Sequence, residues 1–264
     1  MGLSSTDAAA QSKKPAYVRI AGAIREQIKS GALQADDPVP SAAAICEQYQ
    51  VSMITAKSAL NLLRTEGLVY GIAGKGTFVA QNRRMVRTAP HRYFQSNDRT
   101  YVQEAERAGL TPEARHETQV MAATESVAQR LEVAAGEHVM ATRYRIFAGG
   151  RPMSMSTSWE PLTITGGTEI EHPHQGTYAN SGLNARFAAI GWTIEQVEEH
   201  LIVRPPTPEE TTELIIPDGV HVIEVHQTVR AIQDGTDNLV PVEAADIVFP
   251  ADRNEFTYLM DRPR

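Results

Sequence analysis

Apolar residues recur at spacings of three and four along 16–30, where Tyr17, Ile20, Ile24 and Ile28 form one stripe. That period predicts an amphipathic helix, with Pro15 suited to its first position and Gly31 to its end. A second helix is predicted after Ser41, a candidate N-cap, with Ala44, Ile45 and Tyr49 inward. Gln50-Val51-Ser52 breaks it. Ser52 is then placed to cap a third helix whose inward stripe is Ala56, Ala59, Leu60, Leu63 and Leu68. Two short apolar strands follow at 68–72 and 77–80, joined by Ala73-Gly74-Lys75-Gly76, whose glycines permit a tight turn.

Beyond residue 95 the pattern becomes mixed. Helices are predicted at 98–108, 126–133 and 207–215, with short helical pieces in 176–190. Strands are predicted at 118–122, 139–147, 152–159, 193–203, 220–232 and 240–249, with Gly149-Gly150 as a hairpin turn. The fold class expected is therefore α/β of the α+β kind, a small helical head followed by a mixed sheet-and-helix body.

The outward face of the third predicted helix carries Ser52, Met53, Thr55, Lys57, Ser58 and Asn61. Small hydroxyls with one lysine suit a helix that enters a DNA major groove. A basic hairpin tip beside it, at Gly74, Lys75 and Gly76, is the layout of a winged helix-turn-helix.

Charge sharpens this picture once the chain is divided. Residues 1–92 hold 12 Lys+Arg against 6 Asp+Glu, whereas 93–264 hold 13 against 26. The first third is fit to meet a polyanion and the remainder would be repelled by one. A single cysteine, Cys46, excludes an internal disulfide framework and argues against a cysteine-rich zinc site. No apolar run approaches the roughly 18 residues of a membrane span, and no signal-peptide core is visible, so a cytoplasmic protein is expected. His172, His174, His221 and His226 lack metal-ligand spacing, and no nucleophile–base constellation stands out, so neither metal, cofactor nor enzymatic activity is expected.

The motifs carry a resemblance. Gly31, Pro40-Ser41, Val51-Ser52-Met53-Ile54-Thr55, Glu66-Gly67-Leu68-Val69 and Gly74-Lys75-Gly76-Thr77-Phe78-Val79 stand in the order and spacing of the GntR superfamily of bacterial transcription regulators. The resemblance implies DNA contacts from Ser41, Ala43, Ser52, Met53, Thr55, Lys57, Gly74, Lys75, Gly76 and Thr77. At two positions where the family commonly has arginine, this chain has Ala43 and Met53, and a third basic position is Lys57. Arginine to guanine is the commonest specific base contact, so the operator is expected to differ from the family's usual core. Met53 is suited to a thymine methyl or to packing beneath the helix start.

The body resembles the effector domain of the HutC-like branch, the UTRA domain with a chorismate-lyase-like fold. The landmarks are 128–131 with Gly136, Arg143-Tyr144-Arg145, Gly150-Arg151-Pro152, 210–214, and Pro241-Val242-Glu243 with Asp252-Arg253. This implies effector contacts from Arg143, Arg145, Ser154, Ser156, Tyr178 and Glu243. Arg143 and Arg145 share one face of a strand, where two readings stay open. They hold an anion such as a phosphate, or they pair with acids of neighbouring strands. Ser156 or a neighbour stands where many members carry a sugar-holding glutamate, which argues against a sugar-phosphate effector.

The organisation expected is a tail at 1–14, a winged helix-turn-helix at 15–81, a linker at 82–97 and an effector-binding and dimerisation domain at 98–264. Arg83, Arg84, Arg87 and Arg92 lie in or beside that linker, free to approach phosphate or stay solvated. The function implied is a homodimeric repressor on a palindromic double-stranded DNA operator, modulated by a small-molecule effector, with an anion among the candidates. The alternative is a ligand-independent repressor with a degenerate pocket.

Overall fold

The computed structural model describes residues 14–72, 74–80, 84–89, 91–94 and 97–260. The expected tail lies outside them except for Lys14, as do Ala73 of the hairpin turn and residues 81–83. The chain divides into two compact units, one drawn from Met1–Arg83 with Ile216–Val220, the other from Arg84–Ile215 and His221–Arg264.

In the first unit α1 (Ala16–Lys29) buries Ile20, Ala21 and Ile24. Helix α2 (Ala42–Tyr49) is capped by the Ser41 hydroxyl, which accepts the Ala44 N–H at 3.1 Å. Helix α3 (Met53–Thr65) is capped the same way, Ser52 Oγ accepting from Thr55 N–H at 3.2 Å. Each such cap is worth about 1 kcal/mol. Ile45 carries the burial of α2, while Ala44 faces solvent. Ala56, Ala59, Leu60 and Leu63 of α3 complete the core with Val69 and Val79. Leu68 is not part of that helix, because α3 stops at Thr65 and the left-handed backbone of Gly67 turns the chain into β1 (Val69–Ile72). β1 pairs antiparallel with β2 (Gly76–Val79), Val69 opposite Val79. Arg25 donates two hydrogen bonds to the Glu66 carboxylate, at 2.7 and 2.6 Å, and so ties α1 to the C-terminal end of α3.

The second unit begins inside the expected linker. There β3 (Met85–Ala89) and the short α4 (His91–Phe94) are formed, followed by α5 (Thr100–Arg107). β3 pairs in parallel with β10 (Asn254–Tyr258), Met85 opposite Asn254. The expectation of a solvated basic linker is corrected at Arg87. That residue is buried, ion-paired with buried Glu104 and hydrogen-bonded to Asn254 Oδ1 at 3.2 Å.

The body is one antiparallel six-stranded sheet. Its strands are β4 (Pro112–Ala122), β5 (His138–Ala148), β6 (Arg151–Pro161), β7 (Trp192–Arg204), β8 (Val222–Gln233) and β9 (Leu239–Pro250), in the spatial order β4-β5-β6-β9-β8-β7. The helices α6 (Glu125–Leu131), α7 (Leu162–Thr165), α8 (Leu183–Ala189) and α9 (Pro208–Glu213) connect or cover them. Val127, Ala128 and Leu131 of α6 pack with Val139 and Ala244, while Phe187 of α8 packs with Ile170, Val229 and Ala231. Residues 142, 144 and 146 pair with 158, 156 and 154 across β5 and β6, so these even positions share one face. Ser156 then stands beside Ile247 and Ser158 beside Ala245 on β9, which extends that face across the sheet.

Candidate nucleic-acid interface and effector cavity

Two sites emerge, one in each unit. In the first, Ile54, Lys57 and Asn61 of α3 are exposed away from its buried stripe, and Met53 is exposed at the edge of it. Ser41 and Ser52 are also exposed, although each hydroxyl already accepts a capping N–H. The Thr55 hydroxyl lies 2.9 Å from that of Ser52. Ala43 is exposed on α2. Gly74, Lys75 and Gly76 are exposed at the hairpin tip, with φ of +74° and +121° at the two glycines, a backbone that a side chain would strain. Thr77 departs from expectation. Its side chain is buried, and its hydroxyl accepts from Arg64 Nη2 at 3.0 Å. Strand alternation turns Thr77 inward, so it anchors the hairpin to α3 and offers no side chain at the surface.

The second site is a cavity of about 190 Å³ within the body. The even-numbered face of β5 and β6 forms part of its wall with Tyr144, Ile146, Ser154, Ser156 and Ser158, and Glu243, Ala245 and Ile247 of β9 continue it. Residues 98–101, the start of α8 and Tyr93 close it from other sides. Glu243 and the hydroxyls of Ser154, Ser156 and Ser158 have no side-chain hydrogen bond or ion pair to any described residue. None of these four is among the buried side-chain atoms left without a partner, so they open into the cavity, where their donors and acceptors suit a polar guest.

Electrostatics within the cavity wall are sharply set. Arg186 donates to both Glu160 oxygens, at 2.6 and 2.8 Å, and to the Ile170 carbonyl, forming a neutral pair with both side chains buried. Burial, reinforced by the nearby Glu160, pushes the Glu243 carboxyl up to about 8, against the opposing pull of Arg186 and Arg130. Glu243 is therefore largely protonated at neutral pH. His174 is held down to about 3 by burial and by the charges of Arg99, His116 and Arg186, and so stays neutral. Its Nδ1 accepts from Arg99 Nη2 at 3.2 Å, which leaves Nε2–H to donate to the Tyr144 hydroxyl at 3.0 Å. Burial pushes the Tyr144 phenol up to about 12, so it keeps its proton as a donor. Arg99 also donates to the carbonyls of Pro173 and Ala179, at 2.8 and 2.7 Å, which fixes this cation at the wall.

Three residues expected here lie elsewhere. Arg143 and Arg145 occupy the odd-numbered face of β5 and pair with Glu209 and Glu213 of α9. Of the two open readings, pairing with acids is the one realised, but the acids come from helix α9 and not from neighbouring strands. The cause is the two-residue strand period, which turns Tyr144 into the cavity and its neighbours away from it. Tyr178 packs against the cluster around Ile170 and Phe187 and does not line the cavity. Ser154, Ser156 and Glu243 are brought together on the wall. Ser158 joins them, as its alternation with Ser154 and Ser156 implies, whereas Tyr144, Arg99 and the Arg186–Glu160 pair had not been expected here. The hairpin turn at Gly149-Gly150 would by itself set Tyr144 opposite Met155; a register shift between Ile146 and Phe147 moves it opposite Ser156.

Comparison with known proteins decides the family. Residues 16–79 match the family described as bacterial regulatory proteins, gntR family, and 107–255, more than half of the chain, match the UTRA domain. The chain belongs to the GntR family. Within that family it falls in the HutC-like branch, as a DNA-binding transcription regulator and not an enzyme. It is 30% identical over 254 residues to the HTH-type transcriptional repressor NagR of Bacillus subtilis (strain 168), covering 96% of this chain and 97% of that one. A Klebsiella aerogenes histidine utilization repressor is 40% identical over 67 residues, 25% of this chain and 28% of that one. A crystal structure of a GntR-family transcriptional regulator superimposes with a TM-score of 0.61 at 33% identity, over 95% of this chain and 99% of that one. No helix among the described residues is long and apolar enough to cross a membrane.

Proposed function

We propose that this GntR-family regulator is a repressor whose operator affinity is set by a small polar effector held in the cavity of the second unit. The observation that carries this reading is the group of four polar side chains, Ser154, Ser156, Ser158 and Glu243, gathered around one cavity. Arg99 supplies a cation for an anionic group on the effector, and the protonated Glu243 and Tyr144 hydroxyl supply donors that do not repel it. The outward face of α3, with Lys57, and the hairpin tip with Lys75 supply the operator contacts. A homodimer on an inverted repeat in the cytoplasm completes the reading. Coupling requires that the effector bind one arrangement of the protein more tightly than the other.

The test is fluorescence anisotropy of the full chain on a genomic fragment selected by the protein itself, repeated with a panel of small anionic and neutral metabolites. A severalfold change in operator affinity with one compound, lost in a Ser154→Ala/Ser156→Ala variant, supports the proposal. Tight operator binding that no compound alters would instead mark a ligand-independent repressor.

A further inference from the structure

The first turn of α3 presents two adjacent apolar side chains to solvent, Met53 at 45% and Ile54 at 78% exposure. Single exposed apolar residues are ordinary on a protein surface. These two are set apart by their position. They open a capped helix, Ile54 on the side opposite its buried stripe and Met53 at the edge of that stripe, and Lys57 lies one turn beyond Met53. The helix carries Lys57 and Arg64 and no acidic residue, and Lys75 is exposed at the hairpin tip. An apolar pair set among cations matches a surface that is anionic overall but presents apolar groups. The major groove of duplex DNA is such a surface, and its one apolar group is the C5-methyl of thymine.

We propose that Met53 and Ile54 read thymine methyl groups, so that the operator half-site is specified at this turn by apolar contact and not by a guanidinium on guanine. The proposal rests on the DNA-binding reading of the first unit. Lys57 and Lys75 then supply backbone charge contacts while the apolar pair supplies base discrimination. Both side chains are exposed and outside the core, so polar replacements leave the unit folded.

The experiment uses the full chain and a duplex it selects from a random-sequence pool. The duplex is resynthesised with deoxyuridine in place of thymidine, which removes only the methyl groups. The expected result is a loss of affinity of about fourfold for each methyl contacted. A Met53→Ser/Ile54→Ser variant should bind the thymine duplex more weakly and respond equally to thymine and uracil duplexes. Equal binding of the two duplexes by the unaltered chain would overturn the proposal while leaving DNA binding intact. So would a uracil penalty that persists undiminished in the variant, because the methyls would then act through DNA shape. Failure to select any preferred duplex would bring down the DNA-binding reading itself, and this proposal with it.

Discussion

Replacing Glu243 with glutamine should stabilise the effector-binding unit, and by more as pH rises. The carboxyl sits at about 8 in the folded chain because burial and Glu160 disfavour its charge. In the unfolded chain it titrates near its ordinary value of 4.5. Between those two values the folded state holds one proton more than the unfolded state at this position. Stability therefore falls with rising pH, by about 1.4 kcal/mol per pH unit, and the loss is complete only above about pH 8. From pH 5 to pH 8 the contribution of this single group amounts to roughly 3–4 kcal/mol, an upper bound for a side chain that retains some solvent contact. Glutamine carries no charge and removes the slope. The two tryptophans of the chain, Trp159 and Trp192, both lie in the second unit. Urea unfolding followed by tryptophan fluorescence therefore reports on that unit within the full chain. The difference between Glu243→Gln and the unaltered chain should be small at pH 5 and grow steadily to pH 8. A difference that is the same at both ends would refute the assignment of a raised carboxyl to this wall.

Other expectations follow from the same geometry. Glu160→Gln strands the buried Arg186 guanidinium and should cost about 3–5 kcal/mol in the same unfolding assay. Arg143→Ala and Arg145→Ala, whose ion pairs with Glu209 and Glu213 face solvent, should leave effector affinity in calorimetry unchanged and cost under about 1 kcal/mol each. Lys75→Ala should weaken operator binding about equally across sequences and lower the salt slope of log affinity by about 1.

Local signals made the first unit legible in the sequence. Ser41 and Ser52 cap where side-chain chemistry places them, and the three-and-four spacing of Ala56, Ala59, Leu60 and Leu63 names the inward face of α3. The limits appear where a partner is distant. β3 is a short strand within a stretch rich in arginine, and its partner β10 lies 169 positions further along the chain, Met85 against Asn254. The same limit governs the cavity. Alternation shows that Arg143 and Arg145 share a face, but only the placement of α9 tells which face is the outer one. Arg99 and Arg186 reach the wall from a loop and a short helix, and no period in the sequence joins them to Ser156.

The most direct measurement of the central claim exploits the reciprocity of coupled binding. Effector affinity for the full chain is determined by calorimetry, once alone and once with saturating operator duplex. The operator should change effector affinity by the same factor by which the effector changes operator affinity. Identical effector affinities with and without the duplex would contradict it.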